Sequence, residues 1–272
     1  MNMNFNRLKC QLFIESELGC SDPANFGLFT EEFKAYKVEG SNVSRLSDAC
    51  VADAQNFFYK SSISFLEATY GIVNKHSSWA IVKLYYSLFY SLRAYFLLNK
   101  CAIIKNGKGG LYLLKAESNE RPEKINEKGD HKSTIKAFKK TFTEHIINTN
   151  MVDGEHVFDW IMSYRELVSY RIDTFLEPES GYDVIPSIPN DSNEYDILMS
   201  KYINDEYLIY CFDKNHSIYA TPLYFIHDCS NIFREHGIEN PLTVEQLTVI
   251  RNILRKLNLD NSVILREIFQ LL

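Results

Sequence analysis

One stretch, from Trp79 to Ile104, is the most apolar part of this 272-residue chain, and it constrains the fold more than any other feature. Lys83, Arg93 and Lys100 interrupt it, and a segment that spans a lipid bilayer rarely tolerates charges so far from its ends. We therefore predict no membrane partner. Instead, we expect a helix that is buried in a protein core and ends near Leu98.

The overall composition indicates an ordinary globular protein. Apolar residues make up 46% and charged residues 24%, and the net charge of −6 argues against unspecific binding of nucleic acid by the whole surface. The six cysteines are scattered and form no CxxC pair. The N-terminal residues lack the apolar run of a signal sequence. We expect a cytoplasmic protein with no metal site and no cofactor.

The rest of the chain is predicted to be all-α for the most part. Apolar residues recur at helical spacing over 47–71, 132–144 and 155–174, and Pro178 would end the third of these helices. Shorter helices are predicted at the following ranges: 8–17, 193–203, 216–235, 243–257 and 262–271. Thr243, with Gln246 three residues on, predicts a capping box at the start of the helix 243–257.

A charged excursion near 104–130 breaks the helical pattern, with a short strand at Leu111–Leu114. The proline-containing loop 175–193 is the best candidate for a boundary. We therefore divide the chain into an N-terminal extension, a helical bundle and a C-terminal helical region. These segments span residues 1–45, 46–180 and 190–272.

Two groups of basic residues are candidates for binding phosphate. The window 105–140 holds ten basic and five acidic residues, and four of its lysines share one face of a predicted helix: Lys132, Lys136, Lys139 and Lys140. Such a stripe can bind RNA phosphates, or it can be the solvated face of an amphipathic helix.

Three arginines on two of the predicted apolar helices form the second group. Arg93 and Arg171 fall on apolar faces, and Arg165 lies at the edge of one. A charge that faces a core must be paired or must line a cleft, because unpaired burial is costly. Ion pairs within the fold are the alternative to a ligand site.

Three short patterns resemble the HEPN domain, a helical bundle. The helix 78–98 carries the aromatic positions Tyr85, Tyr86, Phe89 and Tyr90. Asp130-His131-Lys132 resembles the His-Lys-Gly that opens a later helix, although Ser133 replaces the glycine. Finally, Arg165 and Tyr170 are similar to the Arg-x4-Tyr pattern late in that domain.

The resemblance implies a HEPN-like bundle of four to five helices that forms a homodimer. Many such domains are metal-independent ribonucleases in bacterial toxin–antitoxin or antiphage systems, and their catalytic Arg is followed by a His. Here Tyr170 stands in place of the His, and tyrosine, with a reference pKa of about 10, is a poor general base at neutral pH. If the domain is catalytic, the resemblance implies that Arg165 and Arg171 bind the scissile phosphate. His131 and Tyr170 would then transfer protons and orient the reacting groups.

Two functions follow from these expectations. The first is a HEPN-like protein of a bacterial defence system that binds or cleaves RNA, with Arg93 and the four lysines contacting phosphates. The second is a non-catalytic helical dimer or adaptor that recruits or restrains a partner effector, with its C-terminal helices as the docking face. The missing Arg-x4–6-His favours the second function, and the basic window favours the first.

Overall fold

A computed structural model describes residues 7–107, 110–177 and 181–271 of the chain. Most of these residues lie in α-helices, and one small antiparallel sheet accompanies them, so the predicted mostly helical fold is confirmed. None of the helices in the described ranges is long and apolar enough to cross a membrane. Pro178 and the Lys108-Gly109 pair of the charged excursion lie outside the described residues.

The described ranges contain eleven α-helices and three strands. The first four helices are α1 (Lys9–Glu17), α2 (Thr30–Ala35), α3 (Asn42–Val73) and α4 (Ser77–Leu98). The sheet and the next two helices follow as β1 (Cys101–Lys105), β2 (Leu111–Lys115), β3 (Glu123–Lys124), α5 (Asp130–Thr141) and α6 (Val157–Glu166). The last five helices are α7 (Ser192–Ile203), α8 (Ile209–Phe212), α9 (Ser217–Glu235), α10 (Val244–Lys256) and α11 (Val263–Ile268).

Several local signals place the helices correctly. α4 ends at Leu98, as expected, and the predicted capping box at the start of α10 is present. The Thr243 hydroxyl accepts from the Gln246 amide at 3.3 Å, and the Thr243 amide donates to the Gln246 side-chain oxygen at 3.0 Å. These two bonds satisfy backbone donors that the first helical turn leaves unpaired.

The strand β1 was not predicted, because only a few apolar residues lie between the predicted helix end near Leu98 and the charged excursion that begins near 104. Lys100 has φ 58°, which ends the helix, and the next residues pair with β2 in antiparallel register from Cys101↔Lys115 to Lys105↔Leu111. A short apolar run carries no period that separates a buried strand from a buried helix. The strand predicted at Leu111–Leu114 is confirmed as β2.

The described residues cluster into two compact units, and each draws on discontinuous parts of the chain. Unit 1 comprises Met1–Asn56 and Arg93–Thr141, and unit 2 comprises Phe57–Leu92 and Phe142–Leu272. The helices α3 and α4 are therefore each divided between the units. The sequence-based division into three consecutive segments stays a prediction.

Unit 1 is built around its sheet. α1 contacts β1 and α5 contacts β2. Buried rings fill the space beside the sheet, and the Phe33 ring lies edge-on to the Tyr112 ring with 5.1 Å between centroids. Phe96 and Phe138 form a second edge-on pair at 6.1 Å. These arrangements favour the ring quadrupoles and bury large apolar surfaces.

Unit 2 has an aromatic core centred on Tyr219 of α9. The Phe65 ring lies 4.8 Å from the Tyr219 ring, and both side chains are fully buried. The Tyr219 hydroxyl is hydrogen-bonded to the Thr69 hydroxyl at 2.8 Å and to the Tyr195 hydroxyl at 3.0 Å. The hydroxyls of Thr69, Tyr195 and Tyr219 thus satisfy one another in the core.

Candidate functional site

A cleft of about 410 Å³ in unit 2 gathers the most distinctive side chains of the molecule. One wall is the first part of α4, and the other is the end of α6 with the segment that follows it. Six residues define the cleft by their chemistry: Trp79, Val82, Tyr86, Arg165, Tyr170 and Phe175. An aromatic wall with one cation is suited to bind a flat or negatively charged group.

The α4 wall follows from helical spacing. Trp79, Val82 and Tyr86 are three and four residues apart, so their side chains lie along one face of the helix. Trp79 is 58% exposed, whereas Val82 is buried. The cleft therefore has an apolar base and an aromatic rim that solvent can reach.

The opposite wall depends on a π-helical turn, Leu167–Arg171, at the end of α6. The Ile172 amide donates to the Leu167 carbonyl five residues earlier at 3.2 Å, which is the π-type bond. In a continuous α-helix, side chains five residues apart point about 140° away from each other. The wider turn brings Tyr170 round to Arg165, so the two predicted site residues meet at the cleft.

Arg165 is held by tyrosines. One of its terminal nitrogens donates to the Tyr86 hydroxyl at 3.1 Å, and its guanidinium carbon lies 5.2 Å from the Tyr170 ring centroid. The rings of Tyr85 and Tyr86 lie at 5.7 Å each. Burial lowers the pKa of Arg165, but the hydrogen bond and charge interactions with the tyrosines outweigh burial and raise it. The guanidinium is therefore a permanent charge.

Arg165 also has donor capacity to spare. Its Nε is buried and has no hydrogen-bond partner among the residues that the structure describes. A guanidinium presents five N–H donors in a rigid fork, and a buried donor without a partner costs free energy. The unpaired Nε is therefore a free-energy cost within the wall of the cleft, and the terminal nitrogens are the donors that a ligand would meet.

Glu177 fixes the far rim of the cleft to the start of α4. Its carboxylate accepts from the Ser78 amide at 2.6 Å and from the Ser78 hydroxyl at 2.5 Å. Burial raises the pKa of Glu177, but the bonds from Ser78 outweigh burial, so the pKa is lowered overall. The anchored segment carries Phe175, whose ring lies edge-on to Trp79 at 5.8 Å.

Arg171 was predicted to face the core, and that prediction is wrong. Its side chain is 64% exposed, and one of its terminal nitrogens lies 3.2 Å from a Glu166 carboxylate oxygen. The π-helical turn is the reason, because it rotates every following residue away from its α-helical position. The ion pair that was the alternative to a ligand role is the arrangement found.

Arg93 belongs to unit 1 and is buried. One of its terminal nitrogens donates to the Ile103 carbonyl at 3.4 Å. Burial lowers the pKa of Arg93, although the charges of Asp130 and Asp53 raise it in part. A phosphate could reach this side chain only after it was uncovered, so its predicted contact with RNA stays a prediction.

The remaining predicted residues lie on α5 in unit 1. His131 is half-buried in the first turn of α5 and does not line the cleft that contains Arg165. Lys132 is exposed and Lys139 half-buried, while Lys136 and Lys140 pair with Glu127 and Glu123 respectively. Carboxylates therefore neutralise part of the predicted basic stripe.

No sequence pattern indicated that Trp79 and Phe175 belong to a site. An aromatic residue at helical spacing is most often part of a core, and exposure is the property that separates the two cases. Phe175 lies after the π-helical turn, in a segment whose course depends on Glu177.

Comparison with protein-family models, curated proteins and solved structures finds no match for this chain. Within the described residues, no three His, Cys, Asp or Glu side chains are grouped as a metal site would require. The fold and the cleft together define a mostly helical protein with an arginine held among three tyrosine rings, of which Tyr170 is exposed. Its function has to be inferred from that cleft.

Proposed function

We propose that this chain is a HEPN-like protein that binds single-stranded RNA in the cleft around Arg165. The observation that carries the proposal is the arginine itself. Its guanidinium is held beside three tyrosine rings at the wall of a cleft whose rim exposes Trp79 and Tyr170. Membership of a bacterial antiphage or toxin system, and the homodimer, rest on the sequence resemblance.

The chemistry of single-stranded RNA matches this cleft. Unstacked bases bind to aromatic side chains and arginine planes, and phosphates accept from arginine donors. Tyr170 is 72% and Trp79 58% exposed, so both can stack on a base without rearrangement of the core. A volume of about 410 Å³ is in the range of sites for one small ligand, which fits a single nucleotide of a longer strand.

The cleft supports binding better than cleavage. Metal-independent cleavage of RNA needs groups that accept and donate protons near neutral pH. The described residues that line the cleft include neither an imidazole nor a carboxylate. Cleavage would therefore require His131 or another residue from outside the cleft, and we propose RNA binding as the primary activity.

The binding proposal is tested by fluorescence anisotropy with a labelled single-stranded RNA of about ten nucleotides, the usual length for such sites. We expect Arg165→Ala to weaken binding by about tenfold or more, because a charged hydrogen bond and a stacking contact are lost. Arg165→Lys should not restore affinity, since a lysine has no planar fork. Trp79→Ala should weaken binding to a similar extent.

Arg171→Ala is the matched control. It removes the same charge six residues further on, from an exposed side chain that does not line the cleft. The proposal is rejected if Arg165→Ala and Arg171→Ala weaken RNA binding equally, or if neither variant changes it. Circular dichroism of each variant establishes that the helical fold is retained.

Cleavage is tested separately, by incubating total cellular RNA with the wild type in excess chelator. Loss of RNA that requires both Arg165 and His131 would add a metal-independent ribonuclease activity to RNA binding. Intact RNA, together with specific binding in the anisotropy experiment, would leave a binding protein without this activity.

A second candidate function is a dimer or adaptor that docks on a protein through the same surface. The observation that favours it is the exposed aromatic cluster of Trp79, Tyr170 and Phe175 beside Arg165, since aromatic residues and arginine are enriched at protein interfaces. Sedimentation of the wild type and Trp79→Ser separates the candidates. Loss of a dimer without any change in RNA affinity supports docking, whereas loss of RNA affinity at constant mass supports the RNA site.

A further inference from the structure

A second cleft, in unit 1, lies between the strands β2 and β3 and the helix α5. Its volume is about 290 Å³. The base is apolar, because Leu113, Ile125 and Ala137 line it and all three are buried. Leu113 and Lys115 are two residues apart on β2, so both point from the same face of the sheet into the cleft.

Lysines surround this apolar base. Four lysines line the cleft with a single carboxylate, that of Glu123, and they are Lys115, Lys124, Lys136 and Lys140. Lys140 pairs with Glu123, and Lys136 donates to the Asn126 carbonyl at 2.8 Å. Over the described part of the chain, neither Lys115 nor Lys124 forms an ion pair with a carboxylate.

We propose that this cleft binds a small organic phosphate that carries two or three negative charges. Glu123 and Glu127 pair with Lys140 and Lys136, so two of the four ammonium groups, those of Lys115 and Lys124, form no ion pair within the described residues. A lysine acts as a mobile point charge that suits phosphate oxygens. The apolar base would hold the organic part of the ligand away from water.

The dimensions and charges of the cleft favour a small molecule over an RNA strand. A volume of about 290 Å³ is at the lower end of ligand sites, so it accommodates one compact ligand. Glu123 stands at the rim, and Glu127 lies beside it in contact with Lys136. An extended polyanion that passed over the rim would meet both carboxylates, whereas a compact phosphate beside Lys115 and Lys124 would not.

Isothermal titration calorimetry of the full chain tests the proposal, with inorganic pyrophosphate and ADP as probes. We expect both to bind, and ADP to bind more tightly because its organic part covers the apolar base. The double variant Lys115→Gln/Lys124→Gln should weaken ADP binding by about a hundredfold, about tenfold for each charged contact. Lys124→Gln alone, at an exposed position, should show about a tenfold loss.

Lys132→Gln is the matched control, because Lys132 lies on the same helix but does not line the cleft. It should leave ADP affinity within about twofold of the wild type, since Lys132 is exposed outside the cleft lining and salt screens its charge. The proposal is overturned if neither probe binds, if Lys132→Gln costs as much as Lys124→Gln, or if pyrophosphate binds as tightly as ADP. It is also overturned if single-stranded RNA occupies this cleft and the two small phosphates do not. The RNA affinity of the Arg165→Ala variant tests the proposed function in the other cleft. None of the outcomes above changes what that measurement shows.

Discussion

Replacing Asp228 with asparagine should stabilise the protein at neutral pH. Asp228 lies on α9 in unit 2, and burial together with the charge of Glu235 raises the pKa of its carboxyl to about 6. The ordinary value is 3.8. The folded state therefore holds this proton more strongly than the unfolded state does. The associated stabilisation is complete below pH 3.8 and is lost as the pH rises through 6.

The magnitude follows from the difference between the two pKa values. The pKa of Asp228 rises from 3.8 in the unfolded chain to about 6 in the folded protein. A difference of one in pKa corresponds to about 1.4 kcal/mol, so ionisation of Asp228 lowers the free energy of unfolding by up to about 3 kcal/mol at pH 7. Partial contact of this side chain with solvent reduces the cost. We therefore expect Asp228→Asn to increase the free energy of unfolding at neutral pH by about 1–2 kcal/mol.

Urea denaturation at neutral pH and near pH 4 measures this effect. The gain for Asp228→Asn should be present at neutral pH and should shrink to a few tenths of a kcal/mol at about pH 4, where Asp228 is protonated in the folded state. Asp173→Asn is the control, since Asp173 is an exposed acid in the same unit. A destabilised Asp228→Asn variant at neutral pH, or an equal gain at both pH values, refutes the reasoning.

Three further variants test local features of unit 2. Thr243→Ala removes the hydroxyl that caps the Gln246 amide and should lower the free energy of unfolding by about 1 kcal/mol in urea denaturation. Burial lowers the pKa of His145 to about 4, whereas the ordinary value is 6.5. As the pH falls below 6.5, the imidazole is protonated in the unfolded state before it is protonated in the folded state, so the folded state loses stability. The wild type should therefore lose about 1–2 kcal/mol relative to His145→Asn between about pH 7 and pH 4 in urea melts, once the partial exposure of the ring is allowed for. Ser87→Ala removes the buried bond from its hydroxyl to the Ser61 carbonyl, 3.0 Å long, and should cost about 1 kcal/mol by the same assay.

Each of these variants has its own control and its own contrary result. Thr248→Ala, on an exposed face of α10, should cost less than Thr243→Ala, and equal losses would contradict the capping role. A difference between the wild type and His145→Asn that does not change with pH would contradict the titration of that imidazole. Ser64→Ala removes an exposed hydrogen bond of similar length and should cost less than Ser87→Ala. Equal losses of stability would contradict a specific contribution from the buried hydrogen bond of Ser87.

Much of the local structure could be predicted from the sequence, because helix formation depends on nearby residues. The apolar spacing before Leu98 predicts α4, and its ends agree with the structure. The capping box at Thr243 is a four-residue signal, and its bonds form as expected. The strand at Leu111–Leu114 is also local, since it lies between turn-forming residues. These features require no knowledge of distant parts of the chain.

The candidate site was only partly predictable. Arg165 and Tyr170 were singled out by their resemblance to the Arg-x4-Tyr pattern, but an α-helix would have pointed them in different directions, and the π-helical turn brings them together. The same turn moves Arg171 into solvent, opposite to the prediction. Whether a helix widens at one turn depends on the groups packed around it, so the pattern of one segment does not reveal it.

Sequence alone determined the mostly helical class of this protein and the placement of its strongest helices, because periodicity and caps act over a few residues. Only the tertiary structure decided which side chains share a cleft. Tyr86 and Arg165 are 79 positions apart and meet at a hydrogen bond, while Lys115 and Lys140 meet across a sheet and a helix. Burial and charge interactions at such sites arise from chain segments that are distant in sequence, and no short-range pattern encodes them.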